Sequence, residues 1–330
     1  MLWRGDARRR QSLKQIRGSP AAHEGATARA GLRAGRGWGY AACALAGIFW
    51  SVGFFLGKIC FTRLSVGHFV LYRFLFGCAG LLPLVERPRF SGREWRLLGI
   101  GSFLGIPVQF LVQFYGLKLT TVSHAALMVG TMPVILAVGA TMFSQEHLDG
   151  KGWLAVMGST AGIVLIVSSS ERGSLRGGSL EGDLLVIAAM FLALGWILIN
   201  QRLMKSGHSP MTVTIWGLLV GTAMLAVWVL AQDGLPPVRG VGLTIWGAVL
   251  ASGLLCTAAS TALWNWGIHH APASRAGVFL NIEPAVGAVL GVELLGDKLG
   301  AGAWIGGALI IVAAVVLTTT GHGEQEAPVG

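Results

Sequence analysis

Apolar stretches, each about as long as a bilayer core is thick, follow one another from Trp38 almost to the C-terminus. They run over 38–57, 67–86, 97–116, 123–144 and 152–169, then over 183–203, 211–231, 243–266, 276–296 and 301–319. A helix needs about 20 apolar residues to cross the roughly 30 Å hydrocarbon core, and unbroken helices satisfy their own backbone polar groups there. Composition agrees, with only 12% of residues charged, whereas a soluble domain carries roughly 25%. The expected fold is an all-α integral membrane bundle of ten transmembrane helices, whose short connections make antiparallel neighbours.

The formal net charge of +10 comes largely from residues 1–37, which hold Arg4, Arg8, Arg9, Arg10, Lys14, Arg17, Arg29, Arg33 and Arg36. On a membrane protein such a segment reads as a cytoplasmic anchor rather than a nucleic-acid site. Polar, basic and rich in Gly and Ala, it is expected to be a disordered tail. It lacks the apolar core and small-residue cleavage site of a secretory signal, and its Arg-rich composition also suits a transit peptide or a misplaced start. With a cytoplasmic N-terminus, the inside loops hold Arg87, Arg89, Arg93, Arg96, Lys151, Arg202, Lys205 and Arg275, against Arg63, Lys118, Arg172, Arg176, Arg239 and Lys298 outside. Both termini, including the short tail 321–330, are therefore expected in the cytoplasm, with the chain in the cell membrane. Cys43, Cys60, Cys78 and Cys256 lie far apart and read as packing residues, not a redox or metal site.

An internal repeat organises the chain. A shift of 151 positions superimposes Gly116 on Gly267, Ser123 on Ser274, Ala125 on Ala276, Pro133 on Pro284, Leu148 on Leu299 and Trp153 on Trp304. A shift of 142 places Ala46 on Ala188, Phe49 on Phe191, Gly53 on Gly195 and Leu56 on Leu198. Residues 38–170 and 182–320 are the expected five-helix repeats, joined by a linker over 171–181. Because five is odd, the second copy enters the membrane from the opposite side, giving inverted repeats of the kind that rock around a central site.

The residues in these repeats carry a family resemblance. The first helix contains GIFWSVGFFLGK at 47–58, the second LYRFLFG at 71–77, and the third and fourth FYGLKLTTVSHAALMVGTMPVILAVGATMFSQEHL at 114–148. The second half answers with WGIHHAPASRAGVFLNIEPAVGAVLGVELLGDKL at 266–299. The chain beyond residue 38 resembles the drug/metabolite transporter superfamily, EamA-type, in which a five-helix unit is duplicated. Glu146 fits the acid that the family pattern sets before a Leu, and Asp297 departs from it conservatively. The resemblance implies an exporter or importer of small metabolites, amino acids or drugs; export is the expected direction.

Several residues are candidates for the solute path. Pro133 and Pro284 interrupt helices at matched positions, where freed backbone groups meet a solute or merely kink the helix. Glu283, expected deep in the ninth helix, is a functional candidate because intramembrane acids are costly. It could couple protons, bind a substrate ammonium, pair with Arg73 or Lys58, or stay protonated as a donor. Lys58 and Arg73 could attract a carboxylate, though snorkelling or a salt bridge is the plainer role. Thr257, Thr261 and Asn265 recur every four positions on helix eight beside Trp264, and Gln109 and Gln113 do so on helix three. Such faces line a path or hydrogen-bond to other helices. Trp50, Phe54, Trp196, Asn200 and Asn281 would complete the cavity. His269 and His270 lack zinc-site spacing, so no metal is expected, and His124 reads as a boundary residue. Glycine pairs four apart, such as Gly158 with Gly162 and Gly302 with Gly306, allow close helix packing.

The expected function is a secondary transporter that moves a small organic solute by alternating access, without cofactor or nucleotide, as no phosphate-binding loop is present. Its partners are the solute and the lipid bilayer, not nucleic acid, and the small-residue faces could pack within one chain or between two in a homodimer. The alternatives are a non-transporting membrane subunit or scaffold, or a lipid-modifying membrane enzyme, which would need clustered acids or a metal that the sequence lacks.

Overall fold

The computed structural model of the protein describes residues 20–143, 150–168, 178–270 and 277–320, and every described element is helical. Helix α1 spans Pro20–Cys60, α2 Val66–Leu81 and α3 Gly92–Leu119. Helix α4 is split into Val122–Val129 and Met132–Phe143. Then come α5, Gly150–Ser168, α6, Leu180–Lys205, α7, Pro210–Gln232, and α8 over 243–270. A 3₁₀ turn, Gly277–Asn281, leads into α9, Ile282–Leu295, and α10 spans Ala301–Thr320.

Among the described residues, 8 helices are long and apolar enough to cross a membrane, from Gly37–Cys60 to Leu243–Ile268. A shorter apolar stretch covers Ala301–Val316. At 1.5 Å per residue, the 14 residues of α9 fall short of a bilayer core, because the expected span from 276 to 296 is divided at Asn281. The outer faces carry exposed Trp153, Leu154, Met157, Val227 and Trp228, as suits a bundle wrapped by lipid.

The basic segment expected to be disordered departs from that expectation over its second part. Residues 20–36 continue α1 as helix. Pro20 starts it, at the position where the missing N–H costs nothing, and alanines at 21, 22, 26, 28, 30 and 34 favour the helical backbone. Residues 1–19 and 321–330 lie outside the described residues, as does most of the expected linker.

Helix starts follow ordinary capping chemistry, in which a side-chain oxygen accepts from a free first-turn N–H. Ser65, Thr121, Ser179 and Ser209 accept from the amides of His68, His124, Gly182 and Thr212. Ser91 and Glu94 form a reciprocal capping box at the start of α3.

Two helices carry a wide π turn in mid-span, Leu104–Val108 in α3 and Leu254–Ala259 in α8. Pro107 sits in the first and explains it, since its ring has no N–H and pushes away the carbonyl one turn back. In the second, the Thr257 hydroxyl donates to the Ser252 carbonyl five residues earlier, a side-chain back-bond of the kind that bends helices.

Packing runs in pairs: α1 on α8, α3 on α6, α4 on α9 and α5 on α10. Glycines set three of these crossings. A Cβ at Gly116 would stand 2.8 Å from the Gly182 carbonyl, one at Gly267 2.8 Å from the Gly39 carbonyl, and one at Gly162 2.6 Å from the Gly306 carbonyl. Such backbone-to-backbone approach is what small residues permit between membrane helices. Gly158, by contrast, faces open space, so of that glycine pair only Gly162 is a packing device.

Candidate functional site

The π turns of α3 and α8 face a cavity of about 250 Å³ in the middle of the bundle. That lies near the lower end of the roughly 300–1,000 Å³ usual for small-molecule pockets. Trp50 and Phe54 of α1, Arg73 and Phe74 of α2, and Gln109, Phe110, Gln113 and Phe114 of α3 form one part of its wall. Met132 of α4, Met190 and Trp196 of α6, Thr214 and Leu218 of α7, Cys256, Thr257 and Thr261 of α8, and Glu283 of α9 form much of the rest. An apolar, aromatic wall with a few convergent polar groups is the usual build of a small-molecule site.

Arg73 is the buried cation of this wall, 6% exposed. Its Nε donates to Thr257 Oγ1 at 3.0 Å and its Nη2 to the Cys256 carbonyl at 3.2 Å, so the π turn of α8 holds the guanidinium. The rings of Phe110 and Phe114 lie 5.5 and 5.3 Å from its centre, within the range of cation–π attraction. Gln109 Nε2 donates to Gln113 Oε1 at 2.7 Å, while the side-chain Oε1 of Gln109 is buried with no hydrogen-bond partner among the described residues. A buried acceptor in that state carries a desolvation penalty that a donor on a solute would relieve. Gly105 lets the Trp196 indole lie on the π turn of α3, because a Cβ there would stand 2.3 Å from Trp196 Cγ.

Of the candidates read from sequence, Trp50, Phe54, Arg73, Gln109, Gln113, Trp196, Thr257, Thr261 and Glu283 meet at the cavity. Trp264 stands behind it, its ring 5.5 Å from that of Trp50. Asn265 turns back on its own helix, donating to the Thr261 carbonyl. Asn200 lies against Gly101 of α3, and Asn281 is buried at the junction of 3₁₀ turn and α9. None of these four lines the cavity.

Three expectations are corrected. Glu283 is not deep within a helix; it sits in the first turn of α9, after the break at Asn281, and forms an ion pair with neither Arg73 nor Lys58 among the described residues. Pro133 and Pro284 do not kink continuous helices. The breaks precede them, at Gly130 and Thr131 and at Asn281, and the prolines occupy first turns, where a missing N–H is harmless; Pro284 packs against Gly130. Lys58 neither snorkels nor lines the cavity. Its ammonium caps the C-terminal carbonyls of α3, at Leu117, Lys118 and Thr120, the helix end that a cation favours.

The end of the bundle beyond Lys58 holds a polar network that the sequence reading misses. Asp183, fully buried in the first turn of α6, accepts from Thr120 Oγ1 at 2.6 Å and lies 3.0 Å from His124 Nδ1. His124 is thus a buried partner of an acid on another helix, not a boundary residue. Asp297 accepts from the backbone and hydroxyl of Ser123, both at 2.9 Å. These bonds tie α3, α4 and α6 together and bind the chain after α9 to α4. At the opposite end, His208 meets Glu94 at 3.0 Å and the Trp216 indole donates to the Glu86 carbonyl. No group of three or more metal-binding side chains occurs among the described residues. Glu146, His147, Arg275 and the side chain of His269 lie outside them.

A helical bundle with 8 helices, among the described residues, long and apolar enough to cross a membrane, and with a small cavity between its helices, fits a multi-pass membrane transporter. Residues 37–168 and 180–319 each match the model of the EamA-like transporter family. The chain belongs to that family. It is similar to an uncharacterized transporter of Archaeoglobus fulgidus, 28% identical over 281 residues that cover 84% of this chain and 95% of the relative. It is likewise similar to the uncharacterized transporter YyaM of Bacillus subtilis, 23% identical over 283 residues, 83% of this chain and 90% of that one. A solved crystal structure shares the fold at a TM-score of 0.59 and 17% identity, covering 86% of this chain and 96% of its own.

Proposed function

We propose that this transporter carries a small organic solute out across the cell membrane by alternating access, around the cavity bounded by the two π turns. In this reading ten helices, the ninth counted together with the 3₁₀ turn that leads into it, span the bilayer as two inverted five-helix repeats, 38–170 and 182–320, with both termini in the cytoplasm. The observation that carries it is the matched irregularity of the two halves. The shift of 151 positions that pairs Pro133 with Pro284 also brings the π turn at 104–108 onto the one at 254–259, and the break at Gly130 onto Asn281. Irregular backbone at membrane depth is tolerated where it lines a cavity, and paired discontinuities mark sites between repeats. The packing has the same exchange, α1 on α8 answering α3 on α6.

The basic residues support the orientation. The Lys58 network then closes the outer end, which leaves the cavity in a state that loads from the cytoplasm. Gln109, Gln113, Thr257 and Thr261 supply hydrogen bonds to the solute, and Trp50, Phe54 and Trp196 enclose its apolar body. Solute flux in proteoliposomes, with and without a pH gradient, tests the reading with wild type and Glu283→Gln. Flux that the gradient drives and the substitution abolishes is expected. No flux for any of a panel of amino acids, nucleobases and cationic amines would refute it.

A further inference from the structure

The end of the bundle that carries the Glu94–His208 contact holds charge that the described residues do not neutralise. Residues 82–103 contain Arg87, Arg89, Arg93 and Arg96 against the acids Glu86 and Glu94, and residues 199–209 contain Arg202 and Lys205 against no acid. Both acids are engaged: Glu94 accepts from the Ser91 amide and meets His208, and Glu86 accepts from the Thr212 hydroxyl. All of these arginines and Lys205 are exposed, and the ion pairs among the described residues, His124 with Asp183 and His208 with Glu94, include none of them. Four of these cations gather on one exposed side. Arg93, Arg96, Ile100 and Phe103 follow one another along a single face of α3 at helical spacing, and Ile100 and Phe103 are 55% and 46% exposed. Leu104 of α3 lies against Gly195 of α6. Three turns back along α3 stands Arg93, and two turns on along α6 stands Arg202, with Lys205 one turn further.

The platform under these cations is well packed. Phe90, Leu98, Leu203 and Val213 form a buried cluster there, and the Trp95 ring packs edge-on against Phe90 and Trp216. Trp95 itself is 37% exposed, as suits an indole at the level of lipid headgroups. Clustered cations beside an apolar, lipid-facing stripe attract anionic headgroups, and a guanidinium offers phosphate two parallel N–H donors. From Arg93 to Phe103 the stripe runs about 15 Å at 1.5 Å per residue, so a phosphate at its charged end lays an acyl chain over Ile100 and Phe103. A zwitterionic lipid brings an ammonium along with its phosphate and gains less, and a soluble phosphate leaves the apolar stripe unused. We infer that the groove between α3 and α6 at this end is a site for an anionic phospholipid. Arg93, Arg96, Arg202 and Lys205 hold its phosphate, and Ile100 and Phe103 carry one acyl chain. The lipid bridges the two halves of the chain, and its binding depends on no solute and no transport route.

The test uses the purified full chain in a neutral detergent, titrated with dioleoyl phosphatidylglycerol or dioleoyl phosphatidylcholine; lipid retained through gel filtration is quantified by mass spectrometry. The anionic lipid should be retained at a concentration at least about tenfold lower than the zwitterionic one, and salt at about 1 M should shrink the difference. Each cation beside a headgroup is worth about fivefold in affinity, so Arg93→Gln with Arg202→Gln should remove the preference. Arg63→Gln with Arg239→Gln makes the same loss of charge at exposed positions of the opposite end and should keep it. Because all four side chains are exposed, each substitution should leave Tm in the zwitterionic lipid within about 1 °C, which separates lost lipid from lost fold. Glycerol 3-phosphate, which has the phosphate but no chains, should displace none of the lipid even in large excess. A wild type that retains both lipids equally overturns the assignment, as does a preference that survives the loss of Arg93 and Arg202 or falls equally with the loss of Arg63 and Arg239. Displacement by glycerol 3-phosphate would give the cations to a soluble phosphate and overturn it as well.

Discussion

Replacing Asp183 with alanine should be among the most damaging single changes outside the cavity. The carboxylate is fully buried, receives a hydroxyl bond from Thr120 and faces His124, and sits at the start of α6, where the helix dipole favours an anion. Thr120 Oγ1 in turn accepts from the Ser179 amide, so the loss would loosen the α3, α4 and α6 termini together. Removing one partner of a buried, hydrogen-bonded pair costs about 3–5 kcal/mol. At about 2 °C per kcal/mol for a chain of this size, Tm should fall by on the order of 6–10 °C. Asp183→Asn should cost only about 1–2 kcal/mol. Its amide oxygen still accepts from Thr120, and its amide nitrogen can donate to His124 Nδ1 once the ring proton moves to Nε2. Thermal unfolding in detergent, followed with a thiol-reactive fluorogenic dye, reads both values, because Cys43, Cys60 and Cys256 are buried and Cys78 is half-buried in the folded chain. An alanine variant within about 1 kcal/mol of wild type, or an asparagine variant as damaged as alanine, would refute the argument.

Other substitutions probe the helix crossings and the cavity wall. Gly162→Val would drive its side chain into the Gly306 carbonyl and should cost about 1–3 kcal/mol in the same unfolding assay, whereas Gly158→Ala, facing open space, should leave Tm within about 1 °C. Lys58→Met strips the cap from the α3 carbonyls and should cost about 1.5–3 kcal/mol, with Lys58→Arg recovering part of it. Gly105→Ala places a methyl on the Trp196 indole and should push the ring into the cavity, lowering solute affinity in titration more than it lowers Tm. Unchanged affinity there would mean that Trp196 does not bound the solute.

What the sequence makes legible, and what it conceals, follows from the range of each interaction. Apolar length is a local property, so most of the helices can be read directly, and a period of four brings Gln109 with Gln113 and Thr257 with Thr261 to the cavity. Asn265 fails the same test because its amide finds an acceptor within its own helix, a choice of rotamer that spacing does not encode. Pro107 is a visible signal for the π turn of α3, but that of α8 has no proline and rests on a hydroxyl back-bond. Asp183 and His124 each stand out, an acid and a histidine at the starts of apolar helices. That they pair, 59 positions apart, is a tertiary fact. Lys58 is ambiguous for the same reason, since the carbonyls it caps lie 59 to 62 positions away.

The two halves differ where the charges of the cavity sit. The shift of 151 that sets Pro133 on Pro284 sets Met132 on Glu283, and both residues line the cavity. Ser65 and Ser209 cap α2 and α7; counting from them, the position of Arg73 corresponds to Gly217. The cavity therefore joins a cation from the first half and an acid from the second to apolar counterparts in the other copy. Two copies with like charges at matched positions would face each other across a space of about 250 Å³ and repel in a medium of low dielectric. One charge of each sign, kept apart by the tether of Arg73 to α8, leaves the site neutral as a whole and polarised from end to end. The substitution that tests this most directly is an exchange, Arg73→Glu with Glu283→Arg. If field direction alone mattered, the exchanged chain would bind its solute in reverse with little loss. Because Thr257 and the Cys256 carbonyl hold a guanidinium at position 73, and the carbonyl would set an acceptor against a carboxylate there, the exchange should instead lose binding altogether in calorimetric titration. Retained affinity would show that the π turn is not what orients the cation.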